Sequence, residues 1–407
     1  MQLNRVFIPY GAYWSTPFTR WQGNFAHLHP MLFAADVSRN ALRERDIAPE
    51  TFDTLFLGMT IPAEHSFYGA PWLAGLIGAP TISGPTISQA CATSTRVVGS
   101  AAYEVETDTD RCILAITCDK TSNGPHIFYP NPSGPGGKGE SEDWVWDNFN
   151  FDPFATNAMI VTAENVARES HITWEEQNAV TLLRFEQYQE ALKEDAAFHR
   201  RYLVSPIEVK DPSGRKVIAT VADDEGIYAT TAEGLSRLRP VKEGGTVSFG
   251  SQTHPADGNC GMVLTSKERA QELSRDSAVT VQIISFGQAR AKRGFMAQAT
   301  VPAARQALNR ADISIRNIKS IKTHNPFAVN DIYFAREMGI SLDTFNNYGS
   351  SLIFGHPQGP TGMRLIIELI EELVLRGGGY GLFTGCAAGD TGASIVLHVD
   401  VAGDSAL

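Results

Sequence analysis

Residues 84–101, GPTISQACATSTRVVGSA, decide the fold of this chain. A turn-rich, strand-like entry meets the first turn of a predicted helix at Cys91, and small residues follow it. The positive end of a helix dipole and its unpaired N–H groups lower the pKa of a thiol and favour the thiolate. The pattern therefore indicates a nucleophilic Cys91, with a small cysteine packed in the core as the alternative.

The same unit occurs a second time along the chain. Residues 85–120 contain a turn, Cys91 at a helix start, the helix and a strand. Residues 349–388 repeat this order, with His356 at the helix start and Cys386 near the end of the strand. Such self-similarity predicts two similar halves. We expect the two helix starts to face each other across a pseudo-twofold axis, with a cleft between them.

Strands and helices alternate through both halves. Short β-branched runs predict buried strands at 51–60, 111–120, 279–289, 318–327, 380–388 and 393–402. Apolar residues at three-to-four spacing predict amphipathic helices at 96–107, 173–195, 301–311 and 362–379. This alternation indicates an α/β protein.

A long segment between the halves has a different composition. Residues 121–154, TSNGPHIFYPNPSGPGGKGESEDWVWDNFNFDPF, are rich in Gly, Pro and aromatic residues and follow neither a helix nor a strand period. A disordered loop is the alternative, but the aromatic content argues against it. We therefore predict an inserted lid or substrate-binding loop region at 119–250, a first half at 1–118 completed by part of 251–270, and a second half at 271–407.

Composition excludes several classes of protein. The 407 residues carry 34 Lys and Arg against 45 Asp and Glu, a net charge of −11, so the basic surface of a general nucleic-acid binder is missing. No basic-then-apolar leader or membrane-spanning stretch is evident, and we expect a cytoplasmic protein that binds neither membrane nor nucleic acid. The five cysteines lack CxxC or metal spacing, so neither a disulfide framework nor a metal site is predicted.

Two residues of the second half complete the candidate chemistry. His356 lies in NNYGSSLIFGHPQGPTGMR (346–364), whose glycines let an imidazole approach a nucleophile or ligand closely. It is a candidate base for Cys91, and a histidine hydrogen-bonded in a turn is the alternative. Cys386 lies in GCAAGDTG (385–392), where a second thiol could donate and accept a proton.

These motifs resemble those of the thiolase family, in the same order and over essentially the whole chain. The resemblance rests on QACATS around Cys91 and on the segments 159–180, 250–266, 355–362 and 385–392. It implies the thiolase fold, in which two similar halves form a five-layer αβαβα arrangement with an inserted loop domain. It also implies an acyltransferase.

The resemblance implies a mechanism for these residues. His356 would deprotonate Cys91, whose thiolate attacks a 3-ketoacyl-CoA, and Cys386 would protonate the enolate that leaves. One oxyanion hole would use the N–H groups of Cys91 and Ala388, and the other would use His324 and His356. No permanently bound cofactor and no metal is implied, and coenzyme A is a co-substrate.

The segment THNPFAVND (323–331) departs from the common pattern of the family, in which an Asn-Glu-Ala-Phe run is usual. His324 replaces the asparagine that positions a water, so a direct imidazole contact is expected there, with a cap or packing role as the alternative. The set Cys91, His324 and His356 also resembles that of decarboxylating ketoacyl synthases. Cys386 argues against this rival, because the corresponding synthase loop lacks a thiol. A non-catalytic acyl-CoA-binding subunit is a second rival.

Further candidates contact the substrate. The expected substrate and CoA contacts are Thr253, His254, Asn325, Phe327, Gly389 and Trp146. Candidate partners of the CoA phosphates, which are alternatively ordinary surface charges, are His199, Arg200, Arg201, Lys210, Arg215 and Lys216.

The identity of the acyl group is predicted from the insertion. Its aromatic residues, Tyr129, Trp144, Trp146, Phe149, Phe151 and Phe154, could line a pocket for a bulky or aromatic acyl chain. The resemblance extends to benzoylsuccinyl-CoA thiolase, which yields benzoyl-CoA and succinyl-CoA and works with a small zinc-ribbon and OB-fold partner. A homodimer is expected from the family.

Overall fold

The computed structural model describes residues 2–402. The strands are β1 Phe7–Ile8, β2 Tyr13–Ser15, β3 Thr19–Arg20, β4 Thr54–Gly58, β5 Thr86–Ile87, β6 Cys112–Lys120, β7 His126–Tyr129, β8 Glu140–Asp143, β9 Ile207–Lys210, β10 Val217–Val221, β11 Ala256–Thr265, β12 Val279–Arg290, β13 Ile318–His324, β14 Gly379–Ala387 and β15 Thr391–Val401. The helices are α1 Pro30–Glu44, α2 Gly69–Ile77, α3 Thr93–Thr107, α4 Trp146–Asn150, α5 Met159–Glu169, α6 Trp174–Ala191, α7 Lys193–Ala196, α8 Ala232–Ser236, α9 Lys267–Leu273, α10 Thr300–Ala311, α11 Ala328–Met338, α12 Ser351–Phe354 and α13 Pro360–Leu375.

The two halves share one strand pattern. In the first half β6 pairs parallel with β4 and antiparallel with β11. In the second half β14 pairs parallel with β13 and antiparallel with β15. The short strand β1 pairs with both β11 and β12, and it joins the two halves into an 11-stranded sheet. The predicted repeat of a helix followed by a strand is present in both halves, as α3 with β6 and as α13 with β14.

Helices lie in three layers around the sheet. One apolar core joins both halves of the sheet through α3 and α13, which contact each other. A second core lies under α1 and α2 on the outer face of the first half, and a third lies under α10 and α11 on the outer face of the second half. This arrangement confirms the predicted αβαβα layering.

The central layer explains the composition of α13. Every residue from Pro360 to Leu373 is buried, because both faces of this helix pack against sheet or helix. A helix that is buried all round must pair its charged residues. In α13 these residues are Arg364, Glu368, Glu371 and Glu372.

The long insertion lies between the last two strands of the first half. β6 ends at Lys120 and β11 begins at Ala256, whereas only residues 388–390 separate β14 from β15. The aromatic stretch 121–154 is ordered as the β7–β8 hairpin followed by α4, which its composition did not predict. Strands of four residues are too short to show a clear period amid Gly and Pro.

A buried ion pair ties the insertion to the central layer. The guanidinium of Arg364 donates to both carboxylate oxygens of Asp224, at 2.6 and 2.7 Å, and to Glu368 at 3.0 Å. Asp224 also accepts the backbone N–H of Phe18 at 2.8 Å. Because residues 226–231 follow directly, this anchor holds a wall of the site described below.

Among the described residues, no helix combines the length and apolar character needed to cross a bilayer.

Candidate active site

Cys91 of the first half and His356 of the second half lie at equivalent places, and the second half also supplies His324 and Cys386. Cys91 precedes α3 by two residues, and His356 precedes α13 by four. His324 is the last residue of β13, and Cys386 lies near the end of the neighbouring strand β14. The fold therefore places residues that are far apart in sequence at the same edge of the central layer.

A thiol and two imidazoles meet at this edge. The Sγ atom of Cys91 and one ring nitrogen each of His324 and His356 all lie within 4.8 Å of one another. The two imidazole centroids are 4.2 Å apart, and the rings are tilted by 35°. The groups are therefore close enough to exchange a proton through small movements.

The surroundings of Cys91 differ from the prediction in one respect. Burial raises the pKa of the Cys91 thiol to about 11, although the N–H groups of Ala388 and of Cys91 itself act to lower it. The expectation of a depressed pKa is wrong, because loss of hydration outweighs the helix start and the two N–H groups. The thiol donates to Oε1 of Gln358 at 3.2 Å.

The backbone around Cys91 is strained. Ala90, which precedes Cys91, has φ of +45°, and Gln358 has φ of +64°. Non-glycine residues rarely adopt this left-handed conformation, and such strain persists where surrounding structure enforces it. Here it holds Cys91 and Gln358 side by side.

Both histidines are fixed through Nδ1. Nδ1 of His356 lies 2.6 Å from Oγ1 of Thr361, and Nδ1 of His324 lies 2.8 Å from Oγ of Ser351. Each Nε2 is buried without a hydrogen-bond partner among residues 2–402. Burial lowers the pKa of His324 to about 3 and, together with His324, lowers the pKa of His356 well below its usual value. Both imidazoles are therefore neutral at pH 7, and both Nε2 atoms are available.

Cys386 is fully buried beside this group. Burial and the neighbouring Cys91 raise the pKa of its thiol well above the usual value. Nδ2 of Asn330 lies 3.1 Å from its Sγ, which fixes the position of the sulfur. This thiol is therefore protonated at neutral pH and suited to donate a proton.

The buried carboxyl group of Asp119 joins the loop of His356 to the segment that follows β4. Asp119, at the end of β6, accepts the N–H of Gly359 at 2.8 Å and the N–H and hydroxyl of Thr60, both at 2.8 Å. Burial raises its pKa to about 7, against the effect of these hydrogen bonds. Asp119 thus ties the loop of His356 to the ends of the neighbouring strands β4 and β6.

The contacts of five further residues were missed at the sequence level. They are Asp119, Asn330, Ser351, Gln358 and Thr361. All except Asp119 lie within segments whose chemistry was recognised, 323–331 and 346–364. The signal available was therefore their position in these segments, not their residue type.

A cavity of about 960 Å³ opens onto Cys91 and His356. Its walls are largely apolar, and the described residues that line it include no Lys or Arg. The apolar lining comprises Phe149, Met159, Ile160, Ile227, Leu235, Leu238, Val241, Phe249, Met296, Phe327, Leu352 and Ile353. Such a pocket suits a sizeable apolar ligand held by few polar groups.

The predicted substrate contacts divide into two groups. Thr253, His254, Phe327 and Trp146 line the cavity. Asn325 does not line it, because its side-chain amide is fully buried and bonded to Asp331, Ser350, Ser351 and Leu352. Gly389 also lies outside the lining, in the turn between β14 and β15, where its carbonyl accepts Nε of Arg290.

The phosphate candidates and most of the aromatic residues lie elsewhere. None of the six basic candidates lines the cavity. His199 is buried instead, and its ring packs against the aromatic rings of Tyr188, Phe198 and Tyr202. Of the six aromatic residues that were predicted to line an acyl pocket, only Trp146 and Phe149 line the cavity. The indole of Trp144 instead donates to the carbonyl of Thr60 at 2.9 Å.

The remaining cysteines are structural. Cys112, Cys118 and Cys260 are buried in the sheet, and all five cysteines are free thiols.

Comparison with known proteins places this geometry in a family. The model of the thiolase N-terminal domain matches residues 12–268, and the model of the thiolase C-terminal domain matches residues 277–399. An acetyl-CoA acetyltransferase of Syntrophomonas wolfei is 27% identical over 396 residues, which cover 94% of this chain and 96% of that protein. The human mitochondrial 3-ketoacyl-CoA thiolase is 24% identical over 388 residues, again covering 94% of this chain and 96% of the relative.

Solved structures agree. The Bacillus anthracis acetyl-CoA acetyltransferase superposes with a TM-score of 0.89 at 27% identity, over 98% of this chain and 99% of that one. The human mitochondrial 3-ketoacyl-CoA thiolase in complex with CoA superposes with a TM-score of 0.86 at 25% identity and the same coverage. The two matched domains, the shared architecture and the clustered thiol and imidazole groups lead to one conclusion: the chain belongs to the thiolase family of acyltransferases.

Proposed function

We propose that this protein is a CoA-dependent thiolase that cleaves a 3-ketoacyl-CoA with a bulky apolar acyl group through an acyl-Cys91 intermediate. The observation that carries the proposal is the approach of Cys91, His324 and His356 to within 4.8 Å at a large apolar cavity. A nucleophile, a neutral base and room for an acyl chain are what such a reaction requires.

The attack uses Cys91 and His356. Nδ1 of His356 lies 2.6 Å from Oγ1 of Thr361, and we assign the proton to Nδ1 so that the Nε2 lone pair accepts the thiol proton. Because burial raises the pKa of the thiol and lowers that of the imidazole, both are neutral in the free enzyme. Proton transfer therefore accompanies attack of Sγ on the keto carbonyl, and does not precede it.

Two sites stabilise negative oxygen. The N–H groups of Cys91 and Ala388 serve the tetrahedral oxygen. Both already act on the Cys91 sulfur, where they oppose part of the rise in pKa that burial causes. His324 and His356 serve the thioester oxygen. For this role Nε2 of His324 must carry a proton, so Nδ1 must accept the hydroxyl of Ser351; that hydroxyl also lies 3.1 Å from Asn325, and it can rotate between the two.

Cleavage and acyl transfer complete the cycle. When the carbon–carbon bond breaks, the acyl group stays on Cys91 and the enolate of an acyl-CoA leaves, taking a proton from Cys386. The thiol of free CoA then attacks the acyl-enzyme and gives its proton to the Cys386 thiolate, while the protonated His356 returns its proton to Cys91 as the acyl group leaves. The same residues serve condensation in the reverse direction.

The cavity supports a bulky acyl group over acetoacetyl. Its volume and apolar lining exceed what a methyl group fills, and Phe149, Phe249 and Phe327 present rings to a ligand. Benzoylsuccinyl-CoA, the substrate suggested by resemblance, carries a carboxylate on its acyl chain. No Lys or Arg among the described lining residues pairs with that charge, so we favour an uncharged aromatic or branched chain.

Two measurements test this proposal. Mass spectrometry after incubation with a 3-ketoacyl-CoA in the absence of CoA should find an acyl adduct on Cys91. We expect kcat/KM for 3-oxo-3-phenylpropionyl-CoA to exceed that for acetoacetyl-CoA by about 10- to 100-fold, because the phenyl ring leaves water. Benzoylsuccinyl-CoA is assayed in parallel.

A cavity-filling variant serves as the matched control. Ile160→Trp replaces a lining side chain of the cavity by a larger indole. It should remove the preference for the phenyl substrate and preserve acetoacetyl-CoA turnover. Robust turnover of acetoacetyl-CoA alone would overturn the bulky-chain proposal, and absence of any Cys91 adduct would favour a non-catalytic acyl-CoA-binding subunit.

The short distance between the two imidazoles favours a second candidate function. Their 4.2 Å separation suits a decarboxylative condensing enzyme, in which two histidines face one thioester. Against it stands the Cys386 thiol, held by Asn330 beside Cys91, which such an enzyme does not need. Decarboxylation of a malonyl thioester faster than CoA-dependent cleavage would favour this rival.

We also propose that two copies pair through β5, an edge strand that pairs only with β4 among the described residues. The adjacent side chains of Phe67 and Tyr68 are 94% and 66% exposed, which supports burial in an interface. Light scattering of the purified chain distinguishes monomer from dimer. The zinc-ribbon partner and the cytoplasmic location stay predictions from the sequence.

A further inference from the structure

We propose that Cys91, His324 and His356 form a binding site for a zinc ion, and that zinc bound there reversibly blocks the enzyme. The binding follows from the geometry of these residues, whereas the inhibition rests on the proposed function. A thiolate and two imidazoles are a preferred ligand set for Zn²⁺.

The donor atoms are close to the required spacing. Sγ of Cys91 and the two ring nitrogens lie within 4.8 Å of one another. In a tetrahedral zinc site, bonds of about 2.0–2.3 Å place neighbouring donors roughly 3.3–3.7 Å apart. Movements of about 1 Å, which side-chain rotations supply, therefore bring all three donors onto one ion.

The histidines are oriented as metal ligands are. Each Nδ1 contacts a hydroxyl, Ser351 for His324 and Thr361 for His356, and each Nε2 is buried without a partner among the described residues. A ligating histidine commonly bonds through one nitrogen to a neighbour and presents the other to the metal. When Nδ1 donates to its hydroxyl, the Nε2 lone pair of each ring is free for the ion.

A fourth donor, an oxygen atom, lies next to these three. Oε1 of Gln358 lies 3.2 Å from Sγ of Cys91 and faces the same cavity. It completes a four-coordinate set, or yields that position to a water molecule. Because Cys91, His356 and Gln358 line the cavity, an ion reaches the site from solvent without unfolding.

Binding is a ligand exchange without oxidation or reduction. The Cys91 thiol releases its proton to solvent, a Zn–S bond forms, and water ligands of the aquated ion leave. The bound ion occupies both the nucleophile and its base.

Cobalt reports the site directly. Co²⁺ added alone to the metal-free protein should give the intense visible bands of a tetrahedral ion and a near-ultraviolet band from thiolate coordination, because Co²⁺ adopts zinc sites and has d-electron transitions. Zn²⁺ alone should then displace the cobalt. Weak octahedral bands, or a spectrum without the thiolate band, would overturn the proposal.

Variants locate the ion. Cys91→Ala should remove the thiolate band, and His324→Asn, which removes one imidazole, should weaken binding. Ser351→Ala should lower affinity by about 10- to 100-fold, because it removes the hydroxyl that orients His324. His65→Asn is the control, since this exposed histidine lies outside the site and should change nothing.

Protection of the thiol gives a readout besides turnover. Zn²⁺ should slow alkylation of Cys91 by iodoacetamide about tenfold or more, and EDTA should restore it. Unchanged alkylation at saturating zinc would overturn the site even if acyl adducts form on Cys91. Protection without any acyl adduct would instead retain the zinc site and remove the proposed function.

Discussion

Replacing Cys91 by Ala should lower CoA-dependent cleavage by about 10⁴-fold or more and abolish the acyl adduct, because no second thiol can replace the nucleophile. Cys386 lies beside it, but its sulfur is fully buried and is held by the side-chain amide of Asn330. Burial and the neighbouring Cys91 also raise the pKa of the Cys386 thiol. Steady-state kinetics and mass spectrometry on the same preparation check both parts of this expectation.

Two controls separate chemistry from folding. Cys112→Ala removes a buried thiol from the start of β6, far from the cavity, and should retain near-normal activity. In the unmodified protein, alkylation of Cys91 should increase roughly tenfold per pH unit up to about pH 11, because burial raises its pKa to about 11 and only the thiolate reacts. Activity of the Cys91→Ala variant within tenfold of the unmodified protein would exclude the covalent mechanism.

Replacing Arg364 by Leu should destabilise the protein by about 3–5 kcal/mol, because it leaves the buried carboxylate of Asp224 without its cation. Asp224 would lose both of its hydrogen bonds from the guanidinium, and Glu368 would lose one. The midpoint of urea unfolding, followed by far-ultraviolet circular dichroism, measures the change.

The same substitution should reach the cavity. Asp224 precedes the wall at residues 226–231, so a loosened anchor should raise KM more than it lowers kcat. Arg237→Leu is the matched control: it breaks an ion pair with Glu233 whose side chains are 75% and 76% exposed, and it should cost less than about 1 kcal/mol. If the two substitutions lowered the free energy of unfolding equally, burial would not determine how much the Arg364 ion pair stabilises the protein.

The stabilisation from the Arg364–Asp224 ion pair depends on pH, and the pKa of Asp224 gives the direction. Arg364 lowers the pKa of this carboxyl in the folded protein. The pair therefore stabilises the protein above the ordinary aspartate pKa of about 3.9, and this stabilisation is lost as pH falls through the lower folded value.

Local pattern was enough to predict the framework. The strands around 111–120 and 380–388 and the helices that precede them were evident from periodicity, because a residue's side of a strand or helix depends on its near neighbours. The two-fold repeat then predicted that Cys91 and His356 would be brought together. Short strands such as β7 and β8 escaped, since four residues carry little periodic signal.

Contacts across the sequence could not be predicted in this way. Gln358 lies 267 positions from Cys91, and Asp224 lies 140 positions from Arg364. Nothing in the immediate neighbours of these residues specifies such partners. The same limit applies to Asn325, which shares a motif with His324 but turns its amide into the core.

The sequence by itself determined the α/β layering and the duplicated half, and it indicated the candidate reactive groups, since each depends on residue type and short-range spacing. The tertiary structure decided the protonation of these groups and the shape of the cavity. A helix start suggested an acidic Cys91 thiol, but desolvation by the surrounding layers raises its pKa to about 11. Desolvation is the sum of contacts from the whole fold, and therefore only the folded chain sets it.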